Sequence, residues 1–170
     1  MGYNPLSIEE LQVTTPSVIN EIKSGTAPHT RITIAVNAGK LDLREPSPKI
    51  LKEIINSSIK IGDFPSLSRA DMDVLALSLE LQRTGFSPIL VSDDYTIQNV
   101  AEYSGLIYTS LMTFGIRYRF EWLLYCPACK RRYTTNASIK VCNICGTLLK
   151  RKVIRKTPIS QKKDIKISKQ

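Results

Sequence analysis

Residues 89–101 read Ile-Leu-Val-Ser-Asp-Asp-Tyr-Thr-Ile-Gln-Asn-Val-Ala, and this stretch indicates the class of fold. An apolar run of strand length ends at two adjacent carboxylates, Asp93 and Asp94, and a helical pattern begins immediately after them. Open α/β sheets place ligands and catalytic groups where a strand ends and a helix begins. Carboxylates at such a position are suitable ligands for hard cations such as Mg²⁺ or Mn²⁺. The alternative is that one of them simply caps the following helix.

The rest of the first 113 residues alternates helical patterns with short strand patterns, which predicts an α/β domain with a mainly parallel sheet. Thr15-Pro16 and Ser47-Pro48 each have the form of a helix start. Residues 68–71 have the spacing of a capping box and begin the longest predicted helix. Residues 30–39 are ambiguous, because they alternate like a strand and also carry apolar residues at helical spacing.

Three further acids are candidates for a metal site. Glu21 lies in the first predicted helix, where the alternative is a solvated helix acid. Asp71 and Asp73 lie at the start of the buried helix, where a carboxylate is either a cap or a ligand. Carboxylates that converge repel one another unless a divalent cation neutralises them, and such a cation can stabilise charge on a phosphodiester. His29 is the only histidine, so a histidine-based nucleophilic triad is unsupported.

Four cysteines form two C-x₂-C pairs, Cys126/Cys129 and Cys142/Cys145. Each pair presents two thiolates to a common point, as a tetrahedral Zn²⁺ site requires. An iron–sulfur centre is the less favoured alternative, and disulfides are unexpected in an intracellular protein. Gly146 supplies the backbone freedom that the turn after the second pair needs. A four-cysteine zinc site has no open coordination position, so we expect it to stabilise a fold and to perform no chemistry.

Charge is distributed unevenly along the chain, which has a net charge of +9. Residues 1–125 contain 11 basic and 14 acidic side chains, whereas residues 126–170 contain 13 basic side chains and one acid. A basic, cysteine-bearing end indicates a module that binds phosphates, and a solvated surface is the alternative. The residues predicted to bind RNA are Lys130, Arg131, Arg132, Lys140, Lys150, Arg151 and Lys152.

Residues 116–125 alternate apolar and charged side chains, which predicts a half-buried antiparallel strand that leads into the cysteines. The aromatic residues of this region either stack on bases or pack the cysteine module against its neighbour, and we favour packing. They are Tyr118, Phe120, Trp122 and Tyr133. Residues 153–170 are predicted to be a basic, disordered tail, because like charges dominate there and apolar residues are few.

Three segments together resemble the PIN-domain ribonucleases: residues 15–22, residues 67–77 and residues 92–101. With the four cysteines and the basic end, residues 2–152 resemble the NOB family of ribosome-assembly endonucleases in its compact archaeal form. The resemblance implies a PIN-like three-layer α/β domain with a mainly parallel sheet over residues 1–113. A small rubredoxin-like zinc ribbon over residues 114–152 and the basic tail over residues 153–170 follow it. It also favours helix over strand for residues 30–39.

The resemblance further implies a site and a reaction. Members of the family bind Mg²⁺ or Mn²⁺ through a cluster of acids and cleave precursor small-subunit ribosomal RNA at its 3′ end. Carried over by motif, Glu21, Asp71 and Asp93 are the expected ligands of the catalytic cation, and the expected catalytic residues are these three with Asp94. Neither Asp94 nor Asp73 aligns with a ligand position. The expected partners are the precursor RNA, the pre-ribosomal small subunit and assembly factors in the cytoplasm, with no membrane.

The chain departs from the family pattern at its start. The family begins with a strand of the type apolar-apolar-Asp-x-Ser/Thr-Ala, whose aspartate belongs to the metal cluster and which is the central strand of the sheet. That strand would precede Gly2. We therefore weigh a start codon assigned too far downstream, a shortened chain and an inactive member, and we favour the first. A non-catalytic RNA- or ribosome-binding protein is the alternative function.

Overall fold

The structure is a computed structural model that describes residues 5–111, 115–134 and 139–159. We call residues 5–111 the body, and the described residues of 115–159 the ribbon. The helices of the body are α1 (Pro16–Glu21), α2 (Ala27–Asn37), α3 (Pro48–Ile61), α4 (Arg69–Arg83) and α5 (Tyr95–Tyr103). Its strands are β1 (Gln12–Thr14), β2 (Leu41–Leu43), β3 (Ile89–Val91) and β4 (Ile107–Thr109). The predicted α/β class is confirmed, and residues 30–37 are helical.

Local sequence explains where these helices begin. Each of α1, α2 and α3 follows a threonine or serine and carries a proline at its first or second position. Proline is favoured there because the first backbone N–H groups of a helix have no intrahelical partner. Helix α4 begins with the predicted capping box, in which Ser68 and Asp71 exchange backbone-to-side-chain hydrogen bonds. Gly62 ends α3 in the left-handed conformation, with φ of 84°.

The core of the body lies between α3, α4 and α5. Ile54, Leu75 and Val100, one from each helix, are completely buried in one apolar cluster. Burying a side chain of this kind contributes about 1.5–3 kcal/mol to folding. Leu90 of β3 and Leu106 beside β4 belong to the same cluster, so this pair of strands packs directly on the helices.

The strands of the body form two separate parallel ladders. Strand β1 pairs with β2, with Val13 opposite Asp42, and β3 pairs with β4, with Leu90 opposite Tyr108. Among the described residues no strand is hydrogen-bonded to both ladders. The parallel pairing is as predicted.

The ribbon is a three-stranded antiparallel sheet in the order β6-β5-β7. Its strands are β5 (Tyr118–Tyr125), β6 (Arg132–Tyr133) and β7 (Lys150–Pro158). The predicted antiparallel strand is confirmed as β5, which pairs with β7 along its full length and has an irregularity between Glu121 and Trp122. The predicted boundary between residues 113 and 114 lies outside the described residues.

The prediction of a disordered tail from residue 153 is wrong for residues 153–158, which lie in β7. Backbone pairing with β5 orders these residues despite their charge. Glu121 of β5 lies 3.7 Å from the guanidinium of Arg155, and the ammonium of Lys156 lies 3.8 Å from the ring centroid of Tyr118. These neighbours offset part of the like-charge repulsion on which the prediction rested. Residues 160–170 lie outside the described residues.

Within the described residues, no helix combines the length and apolar character that crossing a membrane requires.

Candidate functional site

Asp93 and Asp94 point in different directions from the end of β3. Asp94 is the N-cap of α5, and its carboxylate accepts a 2.6 Å hydrogen bond from the N–H of Thr96. The carboxylate of Asp93 instead accepts a 3.1 Å bond from the N–H of Leu111, which follows β4. Helix capping therefore belongs to Asp94, and Asp93 extends across the ends of the paired strands.

Asp71 and Asp73 also have defined partners at the start of α4. The Oδ2 atom of Asp71 accepts a 2.8 Å hydrogen bond from the N–H of Ser68 and so completes the capping box. Asp73 is buried and forms a 2.8 Å ion pair with Nε of Arg69. Asp73 is therefore occupied in a pairing along its own helix, in agreement with its poor alignment to a ligand position.

The structure does not bring the predicted catalytic acids together. Glu21 is exposed at the last residue of α1, which follows β1, whereas Asp93 follows β3 in the other ladder. Helix α4, which carries Asp71, packs against both α1 and β3. Among the described residues, the cysteines form the single group of three or more metal-ligating side chains placed to hold an ion. The acids as arranged here do not form a ligand set, and their roles stay a prediction.

The four cysteines do form a metal site. Their sulfur atoms lie within 4.8 Å of one another, with Cys126 Sγ 3.4 Å from Cys145 Sγ and Cys129 Sγ 3.5 Å from Cys142 Sγ. Zinc–sulfur bonds of about 2.3 Å place the sulfurs of a tetrahedral site ~3.8 Å apart, so the arrangement fits such an ion. We conclude that residues 126–145 carry a four-cysteine metal site.

The surroundings of Cys142 favour the thiolate form that binds metal, whereas the neighbouring thiols, Cys142 first among them, raise the pKa of Cys129 to about 11. The hydroxyl of Tyr133 lies 2.9 Å from Cys142 Sγ, and this hydrogen bond lowers the pKa of Cys142 to about 6. A thiol with this pKa is mostly ionised at neutral pH, so less free energy is spent on deprotonation when a cation binds. Tyr133 therefore supports the metal site.

Both cysteine pairs end in the same backbone conformation. Lys130 and Gly146, each four residues after the first cysteine of its pair, have φ angles of 62° and 70°. Their N–H groups donate to the carbonyl oxygens of Cys126 and Cys142, at 3.0 and 2.9 Å. The predicted role of Gly146 in the turn is confirmed, and Lys130 adopts a conformation that costs a non-glycine residue about 1–2 kcal/mol.

Most of the basic residues predicted to bind RNA are exposed. They are Lys130, Arg131, Arg132, Lys140, Lys150 and Lys152. Arg151 differs, because its Nη2 atom forms a 2.6 Å ion pair with Asp63, whose side chain is only 3% exposed. Its guanidinium also lies 4.5 Å from the ring centroid of Trp122 and donates to the hydroxyl of Ser66. Arg151 therefore joins the ribbon to the body, and its charge is largely used within the chain.

Helix α5 carries two polar residues that join the same two parts. The side chain of Asn99 accepts from the N–H of Phe120 and donates to the carbonyl of Phe120, each at 2.8 Å. Gln98 accepts from the N–H of Ile116 at 2.9 Å and donates to the carbonyl of Ser92 at 2.7 Å. Both carboxamides form hydrogen bonds with backbone groups at the start of the ribbon. They therefore connect the start of the ribbon to α5, the helix that follows Asp94.

Asp63, Gln98 and Asn99 were not identified from the sequence. Asp63 lies in a Gly-Asp-Phe-Pro segment that the sequence predicts only as a loop, and it is buried and hydrogen-bonded to Asn99. Burial raises the pKa of Asp63, and the hydrogen bond from Asn99 and the charge of Arg151 oppose that effect. The sequence did carry one signal for Gln98 and Asn99, which are two adjacent carboxamides among the apolar residues of α5. Buried polar groups need hydrogen-bond partners, so this pair indicated contacts to another part of the chain.

A groove of about 560 Å³ lies where α5 meets the ribbon. Its lining combines the first turn of α5, the residues between β4 and β5, and the aromatic side chains of β5. The lining residues are Asp63, Tyr95, Thr96, Asn99, Gly115, Ile116, Arg117, Tyr118, Phe120, Trp122 and Arg151. This volume is within the range of about 300–1,000 Å³ that is typical of ligand sites.

Comparison with known proteins first gives the class. The sequence pattern of the PIN domain of ribonuclease matches residues 4–81, a range that includes Glu21 and Asp71 and ends before Asp93. Together with the α/β body and its parallel strands, this match shows that the chain contains a PIN domain.

Relatives then give the family. The chain is 35% identical over 156 residues to Endoribonuclease Nob1 of Methanocaldococcus jannaschii, covering 91% of this chain and 73% of that protein. It is 35% identical over 139 residues to Endoribonuclease Nob1 of Pyrococcus abyssi, covering 81% of each. It is also 37% identical over 135 residues to Ribonuclease VapC1 of Thermoplasma acidophilum, covering 79% of this chain and 64% of that protein. The chain belongs to the Nob1 family of endoribonucleases.

Proposed function

We propose that this protein is a metal-dependent endoribonuclease that matures the 3′ end of small-subunit ribosomal RNA in the cytoplasm. The observation that carries the proposal is similarity to archaeal Nob1 endoribonucleases over as much as 91% of the chain, including the ribbon. The position of Asp93, beyond the end of a parallel strand and before a helix, supports it, because ligand sites of open α/β sheets lie there.

Two kinds of metal serve the proposed function. The four cysteines hold Zn²⁺, which stabilises the ribbon and leaves no coordination position for a reactant. Glu21, Asp71 and Asp93 are the proposed ligands of Mg²⁺ or Mn²⁺, the hard cations that carboxylates prefer. Glu21 and Asp93 follow strands of different ladders, and α4, which carries Asp71, contacts both α1 and β3. Such a cation would supply charge stabilisation at the scissile phosphodiester.

The exposed basic residues of the ribbon are the proposed contacts to the RNA backbone. We propose the same contacts with free RNA and with RNA in the precursor small subunit. Neutralising phosphates releases bound counterions, so RNA affinity should fall steeply as salt rises. Removing residues 150–170 would be an unsuitable test, because residues 150–158 form β7 and pair with β5. Substituting the exposed Lys150 and Lys152 tests the same charges without removing the strand.

A non-catalytic RNA- or ribosome-binding protein is the second candidate. It is favoured by the finding that, in the part of the chain that the structure describes, no group of acids is placed to hold an ion. In that case the ribbon binds the RNA and the body contacts the ribosomal precursor without cleaving it.

Cleavage of a defined RNA separates the two candidates. The zinc-loaded chain is incubated with a transcript that spans the 3′ boundary of small-subunit ribosomal RNA, with Mn²⁺ and then with the Mn²⁺ omitted. The enzyme should cut this transcript at one site when Mn²⁺ is present. A transcript of equal length from within the mature RNA is the control and should stay intact. RNA that is bound but never cut would exclude the endonuclease proposal for this chain and support the second candidate.

A further inference from the structure

We propose that the groove between α5 and the ribbon binds a short unpaired segment of RNA, with one base on Tyr95 and the next on Tyr118. The inference rests on the proposed function for the identity of the ligand as RNA. It adds the residues that hold the strand and the single-stranded form that they select.

The first support is the exposure of these two rings inside a concave surface. Tyr95 is 54% exposed and Tyr118 is 38% exposed, and both line the groove. Both rings are planar and partly open to solvent, and neither packs against another aromatic ring among the described residues. Aromatic faces exposed in this way are the platforms on which unpaired bases stack.

The second support is the charge beside these rings. Arg117 lines the groove, is exposed, and has no ion-pair partner within the part of the chain that the structure describes. The ammonium of Lys156 lies 3.8 Å from the ring centroid of Tyr118, so a cation lies against one face of this ring, and we assign the base to the opposite face. Single-stranded RNA is bound by cations that contact its phosphates and by aromatic rings on which its bases stack.

The fixed walls of the groove add a third support. Asp63, which would repel a phosphate, is paired with Arg151, and Asn99 holds Phe120 through two hydrogen bonds. These buried contacts keep the groove in place before any ligand binds, which lowers the entropic cost of binding. Phe120 and Trp122 form its apolar floor, with ring centroids 5.7 Å apart.

The position of the groove relates it to the predicted catalytic acids. Tyr95 is the first residue of α5 and directly follows Asp94. A nucleotide held on Tyr95 would therefore lie next to the segment that joins β3 to α5, which carries Asp93. A duplex would not fit this arrangement, because its bases are stacked on one another and cannot reach protein rings.

Binding of labelled RNA tests the inference. The chain carries the metal of its four cysteines, and Mg²⁺ and Mn²⁺ are omitted so that no cleavage occurs. The probe is a fluorescein-labelled hexauridylate, measured by anisotropy at fixed ionic strength. Tyr95→Ala and Tyr118→Ala should each weaken binding about 5- to 150-fold, the loss expected for one base stack. Tyr118→Phe, which keeps the ring, should bind within about twofold of wild type.

Phe86→Ala is the matched control, because Phe86 is 55% exposed but lies after α4 and does not line the groove. It should bind hexauridylate like the wild type. Trp122 is the only tryptophan and lines the groove, so its fluorescence should change on RNA binding and report the same affinity.

Wild-type affinity for hexauridylate in both tyrosine-to-alanine variants would overturn the inference. It would also be overturned if these substitutions weakened binding of a blunt RNA duplex equally, or if the wild type did not bind hexauridylate. The endonuclease proposal is judged by cleavage and is unaffected by those results. Conversely, weakened binding in the tyrosine variants of a chain that never cleaves would leave the groove assignment standing and remove the catalytic one.

Discussion

Removing the metal from the four cysteines should unfold the ribbon while the helices of the body stay folded. The ribbon has few buried apolar side chains, whereas Val141, Ile144 and Leu148 are 49%, 60% and 68% exposed. Metal binding at a site of this kind supplies about 10–16 kcal/mol, far more than such a small core. The expected result of adding a strong chelator is loss of amide-exchange protection at Cys142 and Gly146, whose N–H groups donate to the carbonyl oxygens of Thr147 and Cys142.

Cys142→Ser should have the same effect without a chelator, and its metal content should fall below one ion per chain. Protection of the amides in α3 and α4 is the internal control, because these helices pack in the core of the body. Unchanged protection of the cysteine-pair amides in a chain shown to be free of metal would contradict a structural role for the ion.

Breaking the ion pair between Arg151 and Asp63 should produce the second largest effect. Arg151→Met keeps an apolar side chain against Trp122 but leaves the carboxylate of Asp63 buried without its cation. The cost of such an orphaned charge is about 3 kcal/mol. Urea unfolding of the metal-loaded protein at pH 7 measures it. Lys152→Met is the matched control, since it removes the same charge from an exposed position on the same strand and should cost less than about 0.5 kcal/mol.

The loss in Arg151→Met should depend on pH. Burial already raises the pKa of Asp63 above its ordinary value of 3.8, and losing Arg151 removes an opposing influence. An acid whose pKa is raised in the folded state favours folding below its unfolded pKa and loses that contribution as pH rises through its folded pKa. The variant should therefore be closer to wild type at pH 4.5 than at pH 7. Adding Asp63→Asn to Arg151→Met should abolish this difference, and a loss independent of pH would contradict the pairing.

Local signals were sufficient where backbone preference and side-chain pattern agreed. The capping box before α4 and the proline starts of α1 and α3 were predicted from residue types at fixed spacing, because the physics involves neighbours in sequence. Residues 30–37 show the limit. Their β-branched residues favour a strand locally, yet Thr26 and Pro28 begin a helix there, and only the family resemblance selected it.

Contacts between distant parts of the chain were not predictable in the same way. Strand β7 forms because β5 offers it a partner, which the charge of residues 150–158 does not reveal. Asp63 and Arg151 are 88 residues apart, so no local pattern links them. The local pattern left open which of Asp93 and Asp94 caps the helix, and the family resemblance favoured Asp93 as the ligand. Their hydrogen bonds to Leu111 and Thr96 identify Asp94 as the helix cap.

The catalytic acids show a further limit of motif-based assignment. The motifs place Glu21, Asp71 and Asp93 at the ends of helices and strands. The distances between their carboxylates depend on how the two ladders are arranged, which a motif does not specify. The metal site of the cysteines was predictable because each pair is local and the two pairs lie 12 residues apart.

The most direct test of the central claim is the single-turnover rate at which the zinc-loaded chain cleaves the 3′-boundary transcript in Mn²⁺. Removing a ligand of the catalytic cation should slow the reaction by about 100-fold or more, so Asp93→Asn should leave almost no product. Asp42→Asn is the matched control, because Asp42 is an exposed acid of β2 whose partner is Arg44. It should cleave at the wild-type rate. Equal rates for wild type and Asp93→Asn, or cleavage that continues without a divalent cation, would contradict the account.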